Sequence, residues 1–273
     1  MKKVILLILM IAMTAFATSD AKKVRYLESI KDVVVAAQKT RGGTYNFLNG
    51  SDFAQFGVYE QRTKMKQGFK ALNRQYKVVG PKIDKEFDKL YKQMKSLNKL
   101  AFELDPLTAF KAYSMLINKM IHLGDTAQAQ LYAKSNKFDK KASKIMMSDI
   151  LRLTEGLGKL RGLGSGIAAR RECEDEEVDY MRVYVNEIQK SMNKLVNSMV
   201  VMNKSYGKKY PKGLNEKLTQ YRKDVDYYIA FANDRLIEKE NISVNSNEYF
   251  DRGTDLISGA LDFYEMNAKA LKE

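Results

Sequence analysis

The sequence predicts an all-α fold, elongated, with about eight helices forming two four-helix bundles. Three observations predict it. Apolar residues return every three or four positions in nearly every segment, which is the stride of one helix face. Only three prolines interrupt 273 residues, and no stretch alternates with the two-residue period of a strand. A content of 45% apolar and 29% charged residues is enough for a sizeable core and is unlike a disordered chain.

Residues 1–17 open with Met-Lys-Lys, continue through a short apolar run and end in Ala15-Phe16-Ala17, the pattern of a secretory signal peptide cleaved after Ala17. The alternative is that the segment stays as a short anchor. The apolar run is shorter than the ~20 residues a spanning helix needs. The mature domain is then 18–273, placed in the periplasm or secreted.

The first helix spans Val24 to Leu48 and stops at Asn49-Gly50, with Ser51 and Asp52 as candidate caps for the second. The second carries Phe56, Tyr59, Met65, Phe69, Leu72 and Tyr76 on one face, with Arg62 among them. Gly80-Pro81 breaks the chain before a third helix with Ile83, Phe87, Leu90, Met94, Leu97, Ala101 and Leu104 inward. Asp105-Pro106 supplies a cap and a first-turn proline for the fourth, which presents Phe110, Tyr113, Ile117, Met120 and Ala127 and ends near Ser135-Asn136.

The fifth helix, from about Asp139 to Arg171, buries Met146, Ile150, Leu153, Leu157, Leu160 and Ile167, with glycines at 156, 158, 162, 164 and 166. The acidic run Glu172 to Glu177 suits the positive end of the sixth helix, a more economical role than a metal site. Val178 to Tyr206 holds a heptad stripe rich in methionine, which fills core space and leaves open a homodimer through this helix. Gly207 to Gly213 ends it. Leu214 to Leu236 marks the seventh, and a polar turn at Ser243 to Asn247 precedes a final helix with Phe250, Ile257, Ala260, Tyr264 and Leu271.

Composition excludes several activities. Cys173 is the one cysteine and His122 the one histidine, so disulfides, histidine-rich metal sites and hydrolytic triads lack material. No glycine-rich phosphate loop joins a strand to a helix, and no nucleophile-base pair stands out. The expectation is no enzyme, no metal and no cofactor. A formal charge of +14 suits acidic surfaces or small anions, but the lysines are spread along most helices without a nucleic-acid motif.

One residue in the first helix does not fit a greasy stripe. Leu27, Ile30, Val34 and Ala37 step by three and four, and the next two steps fall on Arg41 and Tyr45. A guanidinium cannot give up its proton, so an inward arginine needs an anion or many acceptors. Lys39-Thr40-Arg41-Gly42 is echoed by Lys159-Leu160-Arg161-Gly162, each on or beside an apolar stripe and flanked by glycines. Two such arginines could grip a planar oxyanion through parallel hydrogen bonds. Alternatively they pair with buried acids such as Glu155 or Glu103, and the glycines only let helices approach.

Gln38-Lys39-Thr40-Arg41-Gly42 with Tyr45 and Leu48, Gln61-Arg62, Phe110-x-x-Tyr113-x-x-Leu116-Ile117, Glu155-x-x-Gly158-x-x-Arg161, and Tyr249-Phe250 with Thr254 together resemble the nitrate- and nitrite-sensing domain family. These motifs extend over about Lys22 to Lys272. The resemblance implies two helical bundles and an extracytoplasmic sensory domain that binds nitrate or nitrite at inward arginines. It implies ligand contacts from Arg41, Gly42, Arg62, Arg161 and Gly162. Family members usually join this domain to a transmembrane helix and a signalling output, whereas this chain ends at Glu273. A stand-alone copy would signal through a membrane sensor or chemoreceptor partner. The competing expectation is a secreted helical adaptor or scaffold without a small-molecule ligand.

Overall fold

A computed structural model describes residues 20–75, 78–238 and 241–273, and the backbone alone of residues 2–19. The side chains of the expected signal segment, residues 1–17, and Tyr76 of the second stripe lie outside the described residues. Eight helices are present among the described residues, with no strand. They are α1 (Lys2–Leu48), α2 (Ala54–Arg74), α3 (Pro81–Leu100), α4 (Pro106–Leu131), α5 (137–170), α6 (Asp175–Tyr206), α7 (Leu214–Ala232, prolonged by a π turn over Asn233–Ile237) and α8 (Ser246–Lys272). Among the described residues no helix is long and apolar enough to cross a membrane.

Side chains fix several of the boundaries. Asp105 caps α4 by accepting from the Thr108 amide at 2.8 Å, and Pro106 follows it. Asn136 opens α5 by accepting from the Asp139 amide, so it belongs to the start of α5 and not to the end of α4. The acidic run forms a capping box in which Glu174 and Glu177 satisfy each other's backbone amides at the start of α6. Ser51 and Asp52 do not cap α2, whose start at Phe53 has no side-chain cap bond. Within α5 the ladder widens to a π turn over Ile145–Ile150, and all six of its side chains are buried. An extra residue there rotates the following stripe, which a fixed three-four count does not anticipate.

The helices pair as two sets of four. In the first set α1 packs on α2 and α4, and α3 on α4; in the second α5 packs on α6 and α8, and α7 on α8. The sets join along α1 and α5. Gln38 meets Glu155, Gly42 meets Gly162, and Asn46 meets Ser165, so the two helices run parallel and side by side. The repeated pairing is what an approximate two-fold axis between α1 and α5 would produce. The two helices come close at the glycines, where a Cβ on Gly162 would sit 3.3 Å from the Gly42 Cα.

The expected core residues are largely inside, with two exceptions in α2. Phe56 and Tyr59 are 74% and 51% exposed, whereas Val58, Met65, Phe69 and Leu72 are buried. The buried face of α2 is set one position round from the expected stripe at its first turn. Tyr45 lies in the core with its hydroxyl hydrogen-bonded to Glu177, which also pairs with Arg170 at 2.5 Å. Its ring packs against Gly166, where an added Cβ would collide with it. Gly166→Ala should therefore destabilise the protein by about 1–3 kcal/mol despite alanine's higher helix propensity, which urea unfolding measures.

Candidate functional site

Val34, Ala37, Arg41 and Tyr45 lie on one buried face of α1, and Arg41 is 0% exposed. Its Nη1 donates to Glu155 Oε1 at 2.5 Å and to Ser114 Oγ at 2.9 Å. The guanidinium lies 4.9 Å from the centre of the Phe110 ring, a cation–π contact in a dry setting. Glu155, itself buried, accepts a second bond from Gln38 Nε2 at 3.1 Å. The Arg41 Nε and Nη2 groups and the Gln38 Oε1 atom are buried without a hydrogen-bond partner. An added Cβ at Gly158 would come within 3.2 Å of Nη2, so the glycine makes room for the guanidinium.

Arg161 repeats this arrangement on the other side of the α1–α5 contact. Its Nη1 donates to Thr254 Oγ1 at 2.9 Å, and its guanidinium lies 4.5 Å from the Phe250 ring centre. Phe250 and Thr254 on α8 are spaced like Phe110 and Ser114 on α4, so each arginine has an aromatic face and, one turn on, a hydroxyl. The pairs differ in one respect. Arg41 has a carboxylate; Arg161, 1% exposed, has no ion pair among the described residues, and its Nε has no partner. Burial pushes the Arg161 guanidinium down to about 10, with the nearby Arg41 cation adding to the shift and the Tyr228 hydroxyl opposing it. It is still charged at neutral pH and poorly compensated.

Arg62 is half-buried, not part of a buried face. It lies 4.5 Å from the Phe102 ring centre and makes a long 3.4 Å bond from Nη2 to the Tyr113 hydroxyl, while its Nε has no partner. Tyr113 sits three residues after Phe110 on α4, which ties Arg62 to the Arg41 side of the site. The structure thus brings Arg41, Gly42, Arg161 and Gly162 together at one helix contact, with Arg62 linked through α4. Of the two acids considered as partners, Glu155 holds Arg41, while Glu103 is exposed and does not take part. Ser114 was not foreseen; its only signal is the matching position of Thr254 after Phe250.

The arrangement offers unused guanidinium N–H donors and aromatic faces in a water-poor space. That suits a small planar anion with delocalised charge better than a metal ion. Among the described residues no group of three or more His, Cys, Asp or Glu is placed to hold a metal. Burial and the neighbouring Glu177 carboxylate push the Cys173 thiol up to about 11, so it is protonated and a weak nucleophile at neutral pH.

No protein-family model matches the chain, and no curated protein matches it. Among solved structures the fold is similar to that of the NasR transcription antiterminator, with a TM-score of 0.71 at 11% identity. The likeness covers 99% of this chain and 73% of that one. At that identity it supports the fold.

Proposed function

We propose that the protein is an extracytoplasmic sensory or binding domain that takes nitrate or nitrite at its inward arginines and signals through a membrane partner. The observation that carries this reading is Arg161, a buried cation without a counterion among the described residues, 4.5 Å from an aromatic ring and with an idle Nε. Leaving an isolated charge in such a place costs several kcal/mol, which a bound anion would offset. Support also comes from the residues that carried the family resemblance, since Gln38, Phe110, Tyr113, Glu155, Phe250 and Thr254 are among the side chains that touch the three arginines or their carboxylate. Nitrate and nitrite are small enough to enter between helices and have the flat, spread charge that guanidinium groups prefer.

Thermal melts in millimolar nitrate, nitrite and chloride test the reading. A ligand at about one hundred times its Kd stabilises by about 2.7 kcal/mol, so nitrate or nitrite should raise Tm by several degrees while equal chloride does not. Equal shifts in all three salts would count against a specific site. The second reading, a helical adaptor without a ligand, is favoured by the Arg41–Glu155 pair, because a fully buried ion pair can serve the fold alone. Under it, no anion raises Tm, and binding of an envelope protein survives substitution of both Arg41 and Arg161.

A further inference from the structure

A large hollow opens beside the Arg41 guanidinium, with Ser114 in its wall. A groove of about 930 Å³ runs along α4, walled by α3 on one side and α6 on the other, and reaches Lys159 of α5 at its base. Its size is that of a small-molecule site, far larger than a triatomic or tetra-atomic anion needs. Met115 and Val183, 55% and 49% exposed, line it together with Leu90 and the Tyr180–Tyr184 stack, so much of its wall is apolar. Lone exposed apolar residues are ordinary, but apolar residues gathered in one concave surface mark a place for a ligand.

Charge decides which ligand. Five lysines line the groove against two glutamates. Glu187 is already bound by Lys159 at 3.0 Å, and Lys111 is held by Glu176 at 2.7 Å. Lys82, Lys89 and Lys119 have no ion pair among the described residues. Lys159 is 7% exposed, and its ammonium group, a three-donor centre, makes one bond, to Glu187. Ser114, whose hydroxyl holds Arg41, also lines the groove. Between α7 and α8, the counterparts of α3 and α4, the hollow described is smaller, about 460 Å³.

We infer that this groove is a second binding site, for an organic anion with an apolar or aromatic body, whose acidic group meets Lys159 and the free lysines while its body rests on Leu90, Met115, Val183 and Tyr184. The inference does not depend on what the buried arginines bind.

Fluorescence titration of the folded protein with anilinonaphthalene sulfonate tests it, with neutral N-phenyl-naphthylamine as the uncharged comparison. The sulfonate should bind saturably at one site, and the neutral compound about tenfold more weakly or worse, the scale of one charge-assisted contact. Val183→Glu, at an exposed position that should not disturb folding, and Lys159→Met should each weaken sulfonate binding about tenfold. Tyr227→Glu, in one of the smaller hollows, should leave it unchanged. Absence of saturable binding, equal affinity for the neutral compound, or wild-type binding by Val183→Glu would overturn the assignment.

Discussion

Glu155→Ala is expected to lower unfolding stability by about 3–5 kcal/mol, the usual result of removing one member of a buried ion pair. The loss comes mainly from what is left behind. Arg41 is 0% exposed, already has Nε and Nη2 without partners, and would keep only Ser114 and the Phe110 ring. Gln38 would lose its closer acceptor and keep only Thr154 Oγ1 at 3.4 Å. Two companion measurements separate the pair from the surrounding packing. Replacing both residues by methionine should recover most of the stability, since a well-packed apolar pair often matches a buried ionic one. Nitrate should stabilise Glu155→Ala more than the wild type, because an oxyanion can take the place of the missing carboxylate. Urea denaturation with and without nitrate reads both. A loss below about 1 kcal/mol would mean that the pair is solvated and the site is not dry.

Arg161→Met is expected to act in the opposite sense on the empty protein. With no carboxylate to orphan, and with Thr254 already donating to the Phe250 carbonyl at 2.9 Å, removal of the guanidinium leaves few unmet groups. A methionine can lie on the Phe250 ring through its sulfur. Stability should stay the same or rise by about 1–4 kcal/mol, the range seen when buried charges give way to apolar side chains. Anion binding should fall by about a hundredfold or more, because a desolvated charge-assisted contact is lost. A variant that is more stable and no longer responds to nitrate identifies Arg161 as a residue kept for binding. A variant that is less stable and still responds identifies it as structural.

Much of this could be read from the chain, because helical stride and charge both leave marks in a single sequence. Arg41 was legible as an inward cation since it falls on the stripe set by Leu27, Ile30, Val34 and Ala37, and the structure buries it with them. Arg161 looked like an edge residue and is in fact buried. Every residue from Leu153 to Ala168 is buried, so this part of α5 has no solvent face and a position beside its apolar stripe is still interior. Phe56 and Tyr59 misled because large aromatic residues on a helix were counted as core, although an exposed ring can cover an arginine; Tyr59 lies 5.7 Å from Arg62. Which acid would hold Arg41 could be narrowed to two candidates but not chosen, since Glu155 reaches it only through the parallel contact of α1 and α5. The groove along α4 left no trace in the pattern, because its walls come from helices distant in the chain.

The central claim is that Arg161 is an anion-binding residue. Calorimetric titration of nitrate and nitrite into the wild-type protein and into Arg161→Met tests it most directly, with Gly166→Ala as a destabilised variant that keeps both arginines. Saturable heat is expected for at least one of the two anions in the wild type and in Gly166→Ala, and none in a fully folded Arg161→Met. Binding by Arg161→Met equal to wild type, or no heat from either anion in the wild type, would contradict it.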